Sequence, residues 1–131
     1  MCFGCGPKNG LGLHLECRAS REECVTEYVV RPEHQGFGEV AHGGVLAAVL
    51  DEAMAWLLWY RGYPALTVQL DVRYKRLVRV GEKLTVTASF VKDAGRLLEC
   101  HAEARAEDGQ VAARARAKFL RGEMDEANDN K

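Results

Sequence analysis

The chain has 131 residues, 47% hydrophobic and 28% charged, which suits one globular domain and excludes a disordered chain. Lys and Arg number 18 against 19 Asp and Glu, a formal net charge of -1, so the basic excess of a general nucleic-acid binder is missing. A domain of this size holds a core or a large enclosed pocket, but seldom both unaided.

In chain order, residues 1–11 contain three glycines, a proline and an asparagine and read as an irregular lead-in. Leu13, Leu15 and Cys17 alternate with polar residues, and Cys24 to Arg31 is β-rich, so a first pair of strands is expected. Pro32 to Gly44 carries four glycines and a proline and reads as a loop. From Gly43 to about Arg61 a helix is predicted, apolar nearly all round and therefore buried. Leu66, Val68, Leu70, Val72 and Tyr74 then alternate with polar residues as a half-buried strand. Turns at Val80-Gly81-Glu82, Ala94-Gly95 and Asp108-Gly109 lead into strands over 83–91, 96–107 and 110–120. Residues 122–131 form a polar tail expected to be disordered. One domain over 1–121 with the order β-β-α-β-β-β-β is an α+β arrangement, a long antiparallel sheet around one helix.

No segment reads as spanning a membrane, because Asp51 and Glu52 interrupt the most apolar stretch, Val45 to Tyr60, after six residues. The start lacks the basic residues and apolar run of a secretory signal, so a cytoplasmic location is expected. Cys2, Cys5, Cys17, Cys24 and Cys100 then read as reduced thiols. Cys2-x-x-Cys5 could be half of a zinc site with His14 and Cys17, but the remaining spacing fits no standard zinc pattern, and no metal or cofactor is expected.

Chemistry concentrates in the run from His34 to Gly44 and in Asp51. Gly43 and Gly44 open the helix, where backbone N–H groups lack partners and a carbonyl oxygen can approach closely. Asp51 stands two turns in, with Ala47, Ala48, Met54 and Ala55 as neighbours on its own face, and a buried carboxylate there asks for a functional reason. Thr67, near the start of the next strand, could orient a water. Plainer readings stand beside these: a loop exit at the glycines, a structural hydrogen bond at His42, a loop cap at His34, a solvent-facing carboxylate at Asp51, and a Glu52 that faces solvent or packs next to Trp56.

The residues Cys2-Phe3-Gly4-Cys5-Gly6, Asn9-Gly10-Leu11-Gly12-Leu13, His34-Gln35-Gly36, His42-Gly43-Gly44, Asp51-Glu52-Ala53-Met54, Tyr74 and Val80-Gly81-Glu82 together resemble hotdog-fold acyl-CoA thioesterases of the PaaI-like type. The resemblance covers about residues 2–121 and implies a sheet wrapped around the helix. It implies that the Gly43 N–H polarises a thioester carbonyl, that Asp51 is general base or nucleophile, that Thr67 helps hold the attacking water, and that His42 supports them. Gly44, His34 and Gln35 would border the substrate. Some relatives carry Asn or Gln near Gly36, where this chain has no side chain. Leu77 and Arg79 stand where prolines are common.

Gly43 and Asp51 are eight residues apart, about 12 Å along one helix, too far to act on one carbonyl. Two antiparallel copies related by a two-fold axis can bring Asp51 of one near Gly43 of the other, so a homodimer with composite sites is expected, and the family usually pairs dimers further. The substrate expected is an acyl-CoA, its phosphates met by cations among Arg73, Lys75, Arg76, Arg79 and Arg96. A hotdog dehydratase or hydratase and a non-catalytic acyl-CoA-binding module are the alternatives.

Overall fold

The computed structural model describes residues 1–122; the expected disorder of the tail concerns, from residue 123 onward, positions outside the described residues. Its elements are β1 (Cys17–Ala19), β2 (Glu23–Val29), a 3-10 turn (Pro32–His34), α1 (Gly43–Tyr60), β3 (Ala65–Tyr74), β4 (Lys83–Ala94), β5 (Leu97–Ala106) and β6 (Val111–Arg121). The strands form one antiparallel sheet in the order β1-β2-β4-β5-β6-β3. α1 lies on one face and touches all six strands, so the predicted order and layering hold. Among the described residues, α1 is the one helix long and apolar enough to cross a membrane. Its place against the sheet accounts for that apolarity.

The core is the helix face Leu46, Val49, Leu50, Ala53, Met54, Leu57 and Leu58 packed on alternate residues of the sheet. Leu84, Val86 and Ala88 supply it from β4, Leu98 and Cys100 from β5, and Phe119 from β6. Ala102, Ala104, Ala113, Ala115 and Ala117 keep the helix-facing side of β5 and β6 low, which admits the large side chains of α1. The β4–β5 and β5–β6 turns need left-handed backbone at Gly95 (φ 81°) and Gly109 (φ 88°), the conformation that made these glycines readable as hairpin signals.

Two local expectations change. The first strand is shorter than the alternation suggests: Leu13 and Leu15 are buried, but their N–H groups donate to the carbonyls of Phe3 and Gly4 in the lead-in, leaving only 17–19 for the sheet. The lead-in is thereby ordered against the body of the protein. The second change concerns β3. A bulge between Thr67 and Gln69 leaves Val68 as the extra residue opposite Phe119 and Lys118. Thr67 pairs with buried Phe119 and therefore faces the helix; beyond the bulge Leu70, Val72 and Tyr74 pair with Ala117, Ala115 and Ala113 and face it too. Leu66 is thrown to the opposite face. As the edge strand, β3 is also far more exposed than expected, with Leu66 64% and Val68 55% accessible.

Candidate active site

The loop before α1 is built to present the helix N-terminus. Gly36 N–H donates to Val40 O, Ala41 N–H to Val78 O and His42 N–H to His34 O, which pins the loop to the β3–β4 connection and to the 3-10 turn. His42 is the N-cap: its Nδ1 accepts from the Gly44 N–H at 2.9 Å, and its carbonyl accepts from Val45 and Leu46. A Cβ on Gly44 would lie 3.0 Å from the His42 ring, so the cap fits glycine there. The Gly43 N–H is then the first-turn donor with no protein acceptor among the described residues. Of the two glycines the sequence singles out, Gly43 is open to a ligand and Gly44 is occupied. The Gly43 carbonyl in turn accepts from the Tyr74 hydroxyl at 2.5 Å, and that hydroxyl would stand 3.4 Å from a Cβ on Gly43.

Two turns along α1, Asp51 is half-buried and its Oδ1 accepts from the Thr67 hydroxyl at 2.7 Å. The bulge at Val68 is what turns that hydroxyl toward the helix. Because β3 runs back along α1, Thr67 lies level with Asp51 and Tyr74 level with Gly43. The structure therefore joins Asp51 to Thr67 and caps the helix start with His42 beside the open Gly43 N–H, but leaves Asp51 and Gly43 about 12 Å apart along the helix.

The other expected residues are placed differently. His34 is buried, stacked on Tyr28, with Nδ1 against the Tyr28 hydroxyl at 2.7 Å and Nε2 accepting from Arg31 at 3.0 Å. Since the guanidinium can only donate, His34 is neutral with its proton on Nδ1. Burial, reinforced by the Arg31 charge, holds its pKa below the usual imidazole value. Both ring nitrogens are thus engaged within the fold, as in the cap reading. Gln35 is exposed and forms an isolated bridge with Ala41. Arg76 donates to both carboxylate oxygens of Glu82, at 2.9 and 3.4 Å, and to the Leu77 carbonyl, which braces the turn before β4. Lys75 and Arg79 are exposed near the helix N-terminus, Arg79 through its bridge to Val40. Arg73 pairs with Arg114 and faces away from the helix. Arg96 accepts from the Arg121 N–H at the opposite end of the sheet.

Tyr74 was visible as the last apolar position of an alternating strand and as part of the resemblance, with no role attached; its contact with Gly43 spans 31 residues, and no local signal announces it. Burial raises its pKa, so the phenol stays a donor at neutral pH. Glu52 departs from the solvent-facing expectation: it is buried beneath the lead-in, on the side of α1 away from Thr67.

The profile of the Thioesterase superfamily matches residues 38–113, which includes the helix N-terminus, Asp51, Thr67 and Tyr74. Acyl-coenzyme A thioesterase THEM5 of Mus musculus is 28% identical over 109 residues, 82% of this chain and 44% of that protein. Acyl-coenzyme A thioesterase 13 of Homo sapiens is 30% identical over 84 residues, 63% of this chain and 60% of that protein. The chain thus spans about half the length of the curated relatives it matches. A mutant structure of phenylacetic acid degradation protein PaaI from Thermus thermophilus superposes with a TM-score of 0.78 at 28% identity, covering 84% of this chain and 95% of that one. Matched by the family profile over more than half its length and built on the same sheet-around-helix architecture, the chain belongs to the thioesterase superfamily and has its hotdog fold.

Proposed function

We propose that the protein hydrolyses the thioester of an acyl-CoA to the free acid and CoA. The observation that carries this reading is the division of labour at the start of α1: His42 satisfies Gly44 and leaves the Gly43 N–H pointing out of the helix N-terminus. A carbonyl oxygen placed there receives a hydrogen bond and the positive end of the helix dipole, both of which strengthen as the oxygen gains charge. His42 acts as a positioning residue in this scheme. Tyr74, holding the Gly43 carbonyl, fixes the plane of the peptide that follows.

Asp51 supplies the other half. Either it takes a proton from water as the water attacks the carbonyl carbon, or its carboxylate attacks and forms an anhydride that water then opens. Thr67 orients the carboxylate in both routes. Asp51 and Gly43 must converge on one carbonyl, and the distance along α1 forbids this within a protomer. The edge strand β3 borders both pairs and carries exposed Leu66 and Val68, so pairing of two β3 edges around a two-fold axis would bury this surface and bring Asp51 of one protomer toward Gly43 of its partner. Lys75 and Arg79, exposed beside the helix N-terminus, suit the phosphates of CoA, whereas Arg76 is committed to Glu82.

The test is a panel of short, long and aryl acyl-CoA substrates with released thiol as readout, on the wild type and on Asp51→Ala. Hydrolysis in the wild type and its loss in the variant are expected; unchanged hydrolysis in Asp51→Ala would sink the assignment. Hydration of an enoyl-CoA without hydrolysis of a saturated one would replace it with the dehydratase reading.

A further inference from the structure

The neighbour of Asp51 in sequence, Glu52, faces the other way and meets a cluster the thioesterase chemistry does not use. The lead-in folds over this carboxylate, with Cys2 Sγ 3.7 Å from both Oε1 and Oε2 of Glu52. Ligand atoms of Cys2, Cys5 and Glu52 all lie within 4.8 Å of one another. We propose that these three side chains form a binding site for a zinc-class divalent cation, tying the lead-in to α1.

The donor chemistry fits that class. Two thiolates and a carboxylate are ligands for tetrahedral zinc, and metal–sulfur and metal–oxygen bonds of about 2.3 and 2.0 Å set ligand atoms roughly 3.5 Å apart. The Cys2–Glu52 separation already matches this, and the whole triad needs contraction of only about an ångström to fill three of the four positions. The backbone is arranged around the cluster as well. Gly6 N–H donates to Cys2 O at 2.8 Å, closing the Cys-x-x-Cys turn so that both sulfurs fall on one side. A Cβ on Gly6 would meet the Cys2 nitrogen at 2.4 Å, and one on Gly4 would meet the Glu52 side chain at 2.5 Å. The turn therefore seats directly on the carboxylate only with glycine at both positions. Leu13 and Leu15, bonded to Phe3 and Gly4, anchor the turn from the far side.

Electrostatics favours a cation too. Glu52 is a buried carboxylate with the thiols of Cys2 and Cys5 gathered at its oxygens. A divalent ion takes up this excess of electron-rich groups, and binding releases the protons of Cys2 and Cys5. His14, the partner the spacing suggests, is instead bonded to the Asn9 carbonyl. The third ligand comes from the helix.

The full-length protein, reduced with a phosphine and stripped with a chelator, is titrated with Zn(II) alone and with Co(II) alone. One equivalent of either metal, a thiolate-to-cobalt charge-transfer band, release of two protons and a rise in Tm are expected. Cys2→Ser and Cys5→Ser should each abolish the band, Glu52→Gln should lose stoichiometric binding, and Cys100→Ser, in the core at β5, should keep it. Far-UV circular dichroism confirms that each variant remains folded. Absence of the band in the reduced wild type, or its survival in the Cys2→Ser/Cys5→Ser double variant, overturns the proposal.

Discussion

Replacing Thr67 by Val removes one hydroxyl of the 2.7 Å bond to Asp51 while keeping a β-branched side chain of similar shape on the strand. A hydrogen bond to a charged group contributes roughly 1.5–3 kcal/mol, and solvent access to Asp51 argues for the lower end. Taking about 1.5 kcal/mol as orientation that the transition state uses, kcat should fall roughly tenfold. KM should stay nearly constant, because the hydroxyl holds the carboxylate rather than the acyl group. Thr67→Ser retains the donor and should restore most of the rate. The assay is steady-state release of CoA thiol from an acyl-CoA the wild type hydrolyses, with circular dichroism to confirm the fold. A Thr67→Val enzyme with wild-type kcat would show that the Thr67–Asp51 contact takes no part in catalysis.

Leu66→Glu sets a charge on the exposed β3 edge and should yield a monomer by light scattering that has lost hydrolysis; a fully active monomer would refute the composite site. Phe119→Ala empties a fully buried position beneath α1 and should cost about 3–5 kcal/mol in urea unfolding, and a loss below about 1 kcal/mol would contradict the packing described. His34, with its pKa depressed in the fold, contributes stability that is complete above the unfolded imidazole pKa of about 6.5 and is lost as pH falls from there through the lower folded value. Urea midpoints followed downward from neutral pH should decline in the wild type and decline less in His34→Gln; identical acid limbs would exclude His34 as the cause.

The elements that were legible in the sequence are those whose signals are local. Gly95 and Gly109 mark their hairpins because the turns demand left-handed backbone at those very residues, and α1 is legible because no glycine or proline interrupts it after Gly44. The bulge was not legible: whether Val68 is skipped depends on register with Phe119 and Lys118, some fifty residues later. The site divides the same way. Gly43, Asp51 and Thr67 were indicated by their own local chemistry and by resemblance, and the contact between the last two crosses only the turn after α1. Tyr74 against Gly43 and Cys2 against Glu52 join residues 31 and 50 apart in sequence, which no spacing rule anticipates.

α1 has one more consequence. The eighteen residues that carry Gly43 and Asp51 are also those that touch every strand. A site carried on such an element cannot loosen by local unfolding, because releasing Asp51 means releasing Leu50, Ala53 and Met54 beside it. Amide exchange around Asp51 should therefore follow the global stability of the protein. In the proposed hydrolysis, the freedom to accept one acyl group or another would come from what borders the helix, chiefly the exposed loop that carries Phe37. On that proposal, rigidity of the reacting groups and adaptability toward the acyl chain fall to different parts of the chain.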